Sequence, residues 1–231
     1  MRQHRVARAC WIAAIAAAFG VTDATADPAA EAQAAENLVR QTYYEGLPYE
    51  GARAITDAGA ARLSEMLLDP DEHAHATNIV LALAIAGRPG AYEAIAGVAE
   101  RGSSGEVDRV ESELRTAIPI AMGHLARSDD RAYAWLVARV DDTRGDPGWS
   151  SGALAGPRLA ALLRRRAIAG LGLSGRPEAD AILQRLARGD GSARAAASDP
   201  ELAAIVETAR GVHARIARDG ADAALASQHA E

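Results

Sequence analysis

Lysine is absent from this 231-residue chain; all 25 basic residues are arginine, and alanine is abundant. Together they read as the coding bias of a GC-rich genome, so the absence excludes no function. Cysteine is nearly absent as well. The single copy, Cys10, precedes an apolar run in a segment expected to be removed, which leaves the mature chain without a thiol. Disulfides, thiolate metal sites and cysteine nucleophiles are thereby excluded. Aromatics make up only 4% of the residues, and the one phenylalanine, Phe19, lies in the same segment. A mature chain keeps seven aromatic side chains: Tyr43, Tyr44, Tyr49, Tyr92, Tyr133, Trp135 and Trp149.

The removable segment is residues 1–26. Arg2, Arg5 and Arg8 precede an apolar run over residues 11–21, and Ala24, Thr25 and Ala26 follow with the small-x-small pattern of a signal-peptidase site. The run is about half the roughly 20 residues that a membrane-spanning helix needs. Cleavage after Ala26 predicts a secreted or periplasmic protein with no membrane association. It takes away three of the 25 arginines and one of the 31 acidic residues, moving the formal charge from −6 to −8. A nucleic-acid or anionic-membrane partner would call for a basic face instead.

What is present is a repeated apolar stripe. Counting from Ala60, Ala91, Ala132 and Ala179, offsets 0, 3, 4, 7 and 8 are apolar in all four segments except at Ser64 and Arg139. That spacing covers one face of a helix. Three of the stripes follow a second, more uniformly apolar helical segment: residues 78–86, 117–126 and 166–173. The first and last of these end on Gly87 and Gly175, with Pro89 and Pro177 opening the next helix. The turn at Ser128 lacks both residues. Pro119 predicts a kink or break inside the middle segment. The unit is therefore a helix, a tight turn and a helix.

The anchors are 31, 41 and 47 residues apart, and the last two spacings match the periods of HEAT and armadillo units. Leu171, Gly172, Gly175, Pro177, Ala179 and Leu183, with Gly87, Pro89, Ala91 and Ile95, resemble the HEAT-like repeats also found in phycobilin lyases. The resemblance covers residues 50–190 and implies an all-α fold, a short right-handed α-solenoid of HEAT-like hairpins. Residues 27–49 then form an N-terminal capping helix and loop. Residues 191–231 supply a closing helix over 201–217 and a tail frayed from Arg218 onward. The six extra residues of the last spacing fall in residues 141–157, a long loop rich in Gly, Pro, Ser and Asp.

Candidate chemistry is sparse. Gly148, Trp149, Ser150, Ser151 and Gly152 match a nucleophile elbow, with Asp180 and His213 in the chain order of a triad, but no strand is expected before them. Arg144, Gly145 and Asp146 form an RGD tripeptide of a kind that composition alone supplies. His73 and His75 lie beside Asp69, Asp71 and Glu72, a weak metal candidate that reads better as a helix start. The stronger candidates are binding residues. In a solenoid whose second helices line the concave face, Tyr92, Glu93 and Tyr133 lie off the apolar stripe and face a groove, and aromatics there make good anchors. Trp135 and Trp149 belong to the irregular third copy.

These residues predict an exported, non-enzymatic binding or scaffold protein that takes a protein partner in its groove and no cofactor. The alternative is a lyase-like enzyme, which only the resemblance to phycobilin lyases suggests, or a metal-dependent one at His73 and His75, on the same scaffold.

Overall fold

The computed structural model describes residues 27–44, 46–101, 104–142, 146–189 and 200–226. The expected leader over residues 1–26, the Arg144–Gly145 part of the RGD tripeptide and most of the breaker cluster after Gly189 lie outside them. The protein is all-α. Its helices are α1 (Pro28–Arg40), α2 (Tyr49–Arg53), α3 (Asp57–Met66), α4 (Ala76–Ala86), α5 (Ala91–Glu100), α6 (Arg109–Leu125), α7 (Asp130–Asp141), α8 (Gly156–Ser174), α9 (Pro177–Ala187), α10 (Pro200–Asp219) and α11 (Ala221–Ala226). A 3-10 helix spans Pro70–His75. The two-residue strands β1 (Gly105–Glu106) and β2 (Trp149–Ser150) pair in parallel.

Local chemistry sets the helix ends. Thr56, Asp108 and Asp129 each accept a hydrogen bond from a backbone N–H of the first turn they cap, at 3.3, 2.8 and 2.8 Å, satisfying donors that have no partner inside the helix. Gly87 and Gly175 close α4 and α8 in the left-handed region, with φ of 62° and 60°. At Ser128, where no glycine is present, Asp129 takes over the punctuation by capping α7. Its carboxyl is held below the usual carboxylate range, chiefly by the Arg131 guanidinium 2.7 Å away. A carboxyl so depressed contributes stability that is fully present above its unfolded value of about 4 and is lost as pH falls below it. We expect Asp129→Ala to cost about 1 kcal/mol at neutral pH and less at pH 3, measured by urea unfolding at both values.

The apolar stripes are buried where the helices last long enough to carry them. Ala60 and Leu63, Ala91 and Ile95, Ala132 and Leu136, and Ala179 and Leu183 are all 3% exposed or less. Leu68 departs from its stripe and is 70% exposed. Helix α3 stops at Met66 because Pro70 disfavours a helical Asp69, so the chain turns before Leu68 can face inward. Of the kink or break expected at Pro119, no break occurs: α6 runs through it, clamped between α4 and α8.

Helices α4, α6, α8 and α10 pack in succession and carry most of the core. Two contacts depend on glycine. A Cβ on Gly170 would lie 2.4 Å from the Pro119 carbonyl oxygen, and one on Gly172 would lie 2.6 Å from that of Ala209. No side chain fits at either position, so α6, α8 and α10 approach backbone to backbone. Helices α5, α7 and α9 each pack on this layer with one face and leave the other to water, and α3 packs on α4. Helix α1 packs on α3 and supplies the partner that the first stripe lacked in the sequence.

The C-terminal end differs from expectation. Instead of fraying from Arg218, the chain forms α11, buries Ala224 and Leu225 and docks on α2. The Tyr49 hydroxyl donates to Asp222 at 2.7 Å and accepts from Arg127 at 2.8 Å. Arg53 adds an ion pair to Asp222 at 3.4 Å. The inner succession thus runs α2, α4, α6, α8, α10, α11 and returns to α2.

Candidate functional site

The irregular third copy builds a cavity of about 230 Å³ between α6, α7, α8 and the connection that follows α7. Trp135 and Arg139 are four residues apart on α7 and therefore share one face of the helix. The Arg139 guanidinium lies 4.8 Å from the centre of the Trp135 ring. This explains why Arg139 breaks the apolar stripe: it turns into the cavity wall, where it also faces Asp142 at 3.9 Å.

The segment expected to be a free loop is stitched down. The Gly105 N–H donates to the Gly148 carbonyl at 3.2 Å and the Val107 N–H to the Ser150 carbonyl at 2.8 Å. Ser151 and Leu154 then form a small antiparallel bridge. These bonds bury Trp149 to 7% exposure and set it against α6, where the Arg115 guanidinium lies 5.2 Å from its ring centre. Arg115 is also paired with Glu111 at 2.6 Å, one helical turn away. Trp135 and Trp149 thus line one cavity although 14 positions separate them in the chain.

On α8, Ala160, Leu163 and Arg164 close the cavity. Arg164 Nε donates to the Val140 carbonyl at 3.0 Å, while its Nη2 is buried with no hydrogen-bond partner. Among the described residues no carboxylate pairs with Arg164. A buried cationic nitrogen without an acceptor in the protein is costly. Arg101 completes the cationic lining.

A second cavity of about 470 Å³ adjoins the first and shares Arg101 and Arg115 with it. The exposed Leu68 sits in its wall, with His73 and Glu72 from the 3-10 helix. His73 Nε2 lies 3.9 Å from Asp108 Oδ1. His75 stands at the N-cap position of α4 without capping it by side chain. Among the described residues, no group of three histidine, cysteine, aspartate or glutamate side chains gathers to hold a metal ion.

The groove candidates lie elsewhere. Tyr92 is half-buried beneath Arg131, whose guanidinium is 4.4 Å from the ring centre and also bonds Glu93. That bond holds the Glu93 carboxyl below its usual range. Tyr133 lies under Arg176 at 5.7 Å, and burial pushes its hydroxyl pKa up. In both cases an arginine from the start of the second helix of the following pair lies over a tyrosine one position after the stripe anchor. The arrangement seals the seam between units. The nucleophile-elbow motif is not assembled either. Ser150 lies within β2 and helix α8 begins only at Gly156, while His213 bonds the Arg176 carbonyl and Asp180 bonds Gln184.

Sequence reasoning singled out Trp135 and Trp149 and missed Arg101, Arg115 and Arg164. Only the stripe break at Arg139 signalled an arginine of this wall. No family model, curated protein or solved structure matches the chain. No helix among the described residues is long and apolar enough to cross a membrane.

Proposed function

We propose that the chain is an exported, non-enzymatic binding protein that holds a small ligand in the cavity between Trp135 and Trp149. The observation that carries this reading is that cavity itself: two indoles, from α7 and from a pinned connection, line one half-open space. Aromatic side chains offer large contact area at low cost in conformational entropy. The successive packing of hairpins supports a short right-handed α-solenoid of HEAT-like units, and the contact of α11 with α2 supports strong curvature. The groove reading, with a protein partner on Tyr92, Glu93 and Tyr133, has less support, because those residues line neither of the two cavities described above.

An enzymatic reading finds no reagent in the wall. Among the described lining residues there is no serine, threonine, histidine or tyrosine, and the only carboxylates are Asp142 and Asp146. Asp146 is already engaged with the Gly148 N–H at 2.8 Å.

The test uses the protein purified from its native envelope, with small molecules released by denaturation and identified by mass spectrometry. A compound is expected to co-purify in stoichiometric amount with the wild type and to fall at least tenfold in each of Trp135→Ala and Trp149→Ala. Retention unaffected by both substitutions would defeat the proposal.

A further inference from the structure

The charge of the cavity wall goes further and identifies what kind of ligand the two tryptophans hold. Four arginines, Arg101, Arg115, Arg139 and Arg164, line the space against two aspartates, Asp142 and Asp146. Their commitments differ. Arg115 is neutralised by Glu111 at 2.6 Å, and Arg139 has Asp142 at 3.9 Å. Arg101 donates to the Leu67 carbonyl at 3.3 Å, which leaves its charge in place. Arg164 is the least satisfied, because its Nε meets a neutral carbonyl and its Nη2 meets nothing.

Guanidinium groups remain charged at any accessible pH. A negative charge brought to the cavity would offset this deficit, because Coulomb attraction there is screened less than in water. The remaining walls are apolar, the two flat indoles of Trp135 and Trp149 with Ile118, Pro119 and Leu163. A volume of about 230 Å³ lies below the roughly 300–1,000 Å³ of sites for drug-sized ligands. The occupant is therefore small.

Resting on the binding reading above, we infer that the ligand is a small planar compound bearing an oxyanion, its ring against Trp135 and Trp149 and its negative charge set against Arg164 and Arg139. A carboxylate and a phosphate share this chemistry.

The probes are naphthalene-2-carboxylate, its neutral counterpart naphthalene-2-carboxamide, and inorganic phosphate. Each is titrated calorimetrically into the full chain carrying Trp11→Phe. In that background Trp135 and Trp149 are the only tryptophans, so intrinsic fluorescence reports whether a probe reaches the cavity. The carboxylate is expected to bind at least tenfold more tightly than the carboxamide and to shift the tryptophan emission. Arg164→Gln should bring the two affinities together, and Arg139→Gln, at a more exposed position, should narrow the gap without disturbing the core. Melting curves verify that both variants fold. Equal binding of carboxylate and carboxamide would overturn the oxyanion inference and leave the tryptophan cavity standing. Phosphate binding as tightly as the naphthoate would overturn the planar part. Silence toward all three probes would overturn the inference as a whole, while the co-purification experiment judges the cavity independently.

Discussion

Replacing Gly170 with alanine is expected to destabilise the protein by about 3 kcal/mol, at the upper end for overpacking of a tight core, and to lower its melting temperature by roughly 6–12 °C. The new methyl group would lie 2.4 Å from the Pro119 carbonyl oxygen and 2.9 Å from Leu136 Cδ2. The leucine end could rotate away. The carbonyl cannot, because it belongs to the backbone of α6. Nor can α8 back off freely, since Gly172 two residues on holds it equally close to Ala209 of α10. Gly97 on α5 supplies the control. A Cβ there meets nothing within 4 Å, so Gly97→Ala should gain about 0.5–1 kcal/mol from helix propensity. Urea denaturation of both variants checks the pair. If Gly170→Ala were as stable as wild type, the backbone contact between α6 and α8 would not exist.

The difference between those two glycines marks how much of this fold the sequence discloses. Periodicity exposes faces, so the stripes anchored at Ala60, Ala91, Ala132 and Ala179 locate four helices and their inward residues. Punctuation at Gly87, Pro89, Gly175 and Pro177 locates the turns between them. Neither indicates which helix crosses which, and nothing near Gly170 distinguishes it from Gly97. The same limit applies to the cavity. Arg139 announces itself by interrupting a stripe, and Trp135 and Trp149 by their rarity. Arg164, in a run of three arginines, looks like an exposed charge cluster until α8 is packed against α7 and its guanidinium is enclosed. The connection carrying Trp149 reads as an open loop because its pairing with residues 105–107 is a contact across some 45 positions made by only four residues. Short strands of that size leave no alternating pattern to detect. The extent of α11 was hidden for a related reason. Its apolar residues are small, four alanines and one leucine, and it docks on α2, far away in the chain.

That long-range contact makes the second large prediction. Tyr49 is 3% exposed, packs near His124 with ring centres 6.2 Å apart and carries Arg127 5.7 Å from its ring centre. Its hydroxyl is the only described group that bonds both Arg127 and Asp222. Tyr49→Ala removes a buried ring as well as that hydroxyl, and an aromatic truncated to alanine in a core costs about 3–5 kcal/mol. The loss should not be uniform. Amide exchange is expected to accelerate first in α11, whose Asp222 loses its bond to this tyrosine, and in α2, while α6 and α8 keep most of their protection. Tyr49→Phe separates the two contributions: the ring stays, the hydroxyl goes, and the cost falls to about 1.5–3 kcal/mol because two charged groups lose a partner. Asp222 is held below its usual carboxylate range, chiefly by the hydroxyl of Tyr49. Its contribution is therefore complete above about pH 4 and fades as the pH falls, and the deficit of Tyr49→Phe should shrink in acid along with it. Because Asp222 is largely exposed, the pH-dependent part is the smaller one. If α11 were to keep its exchange protection in Tyr49→Ala, the closure of the inner helices from α11 back to α2 would not depend on this tyrosine, and the fold would have to be held by the core of α4, α6, α8 and α10 alone.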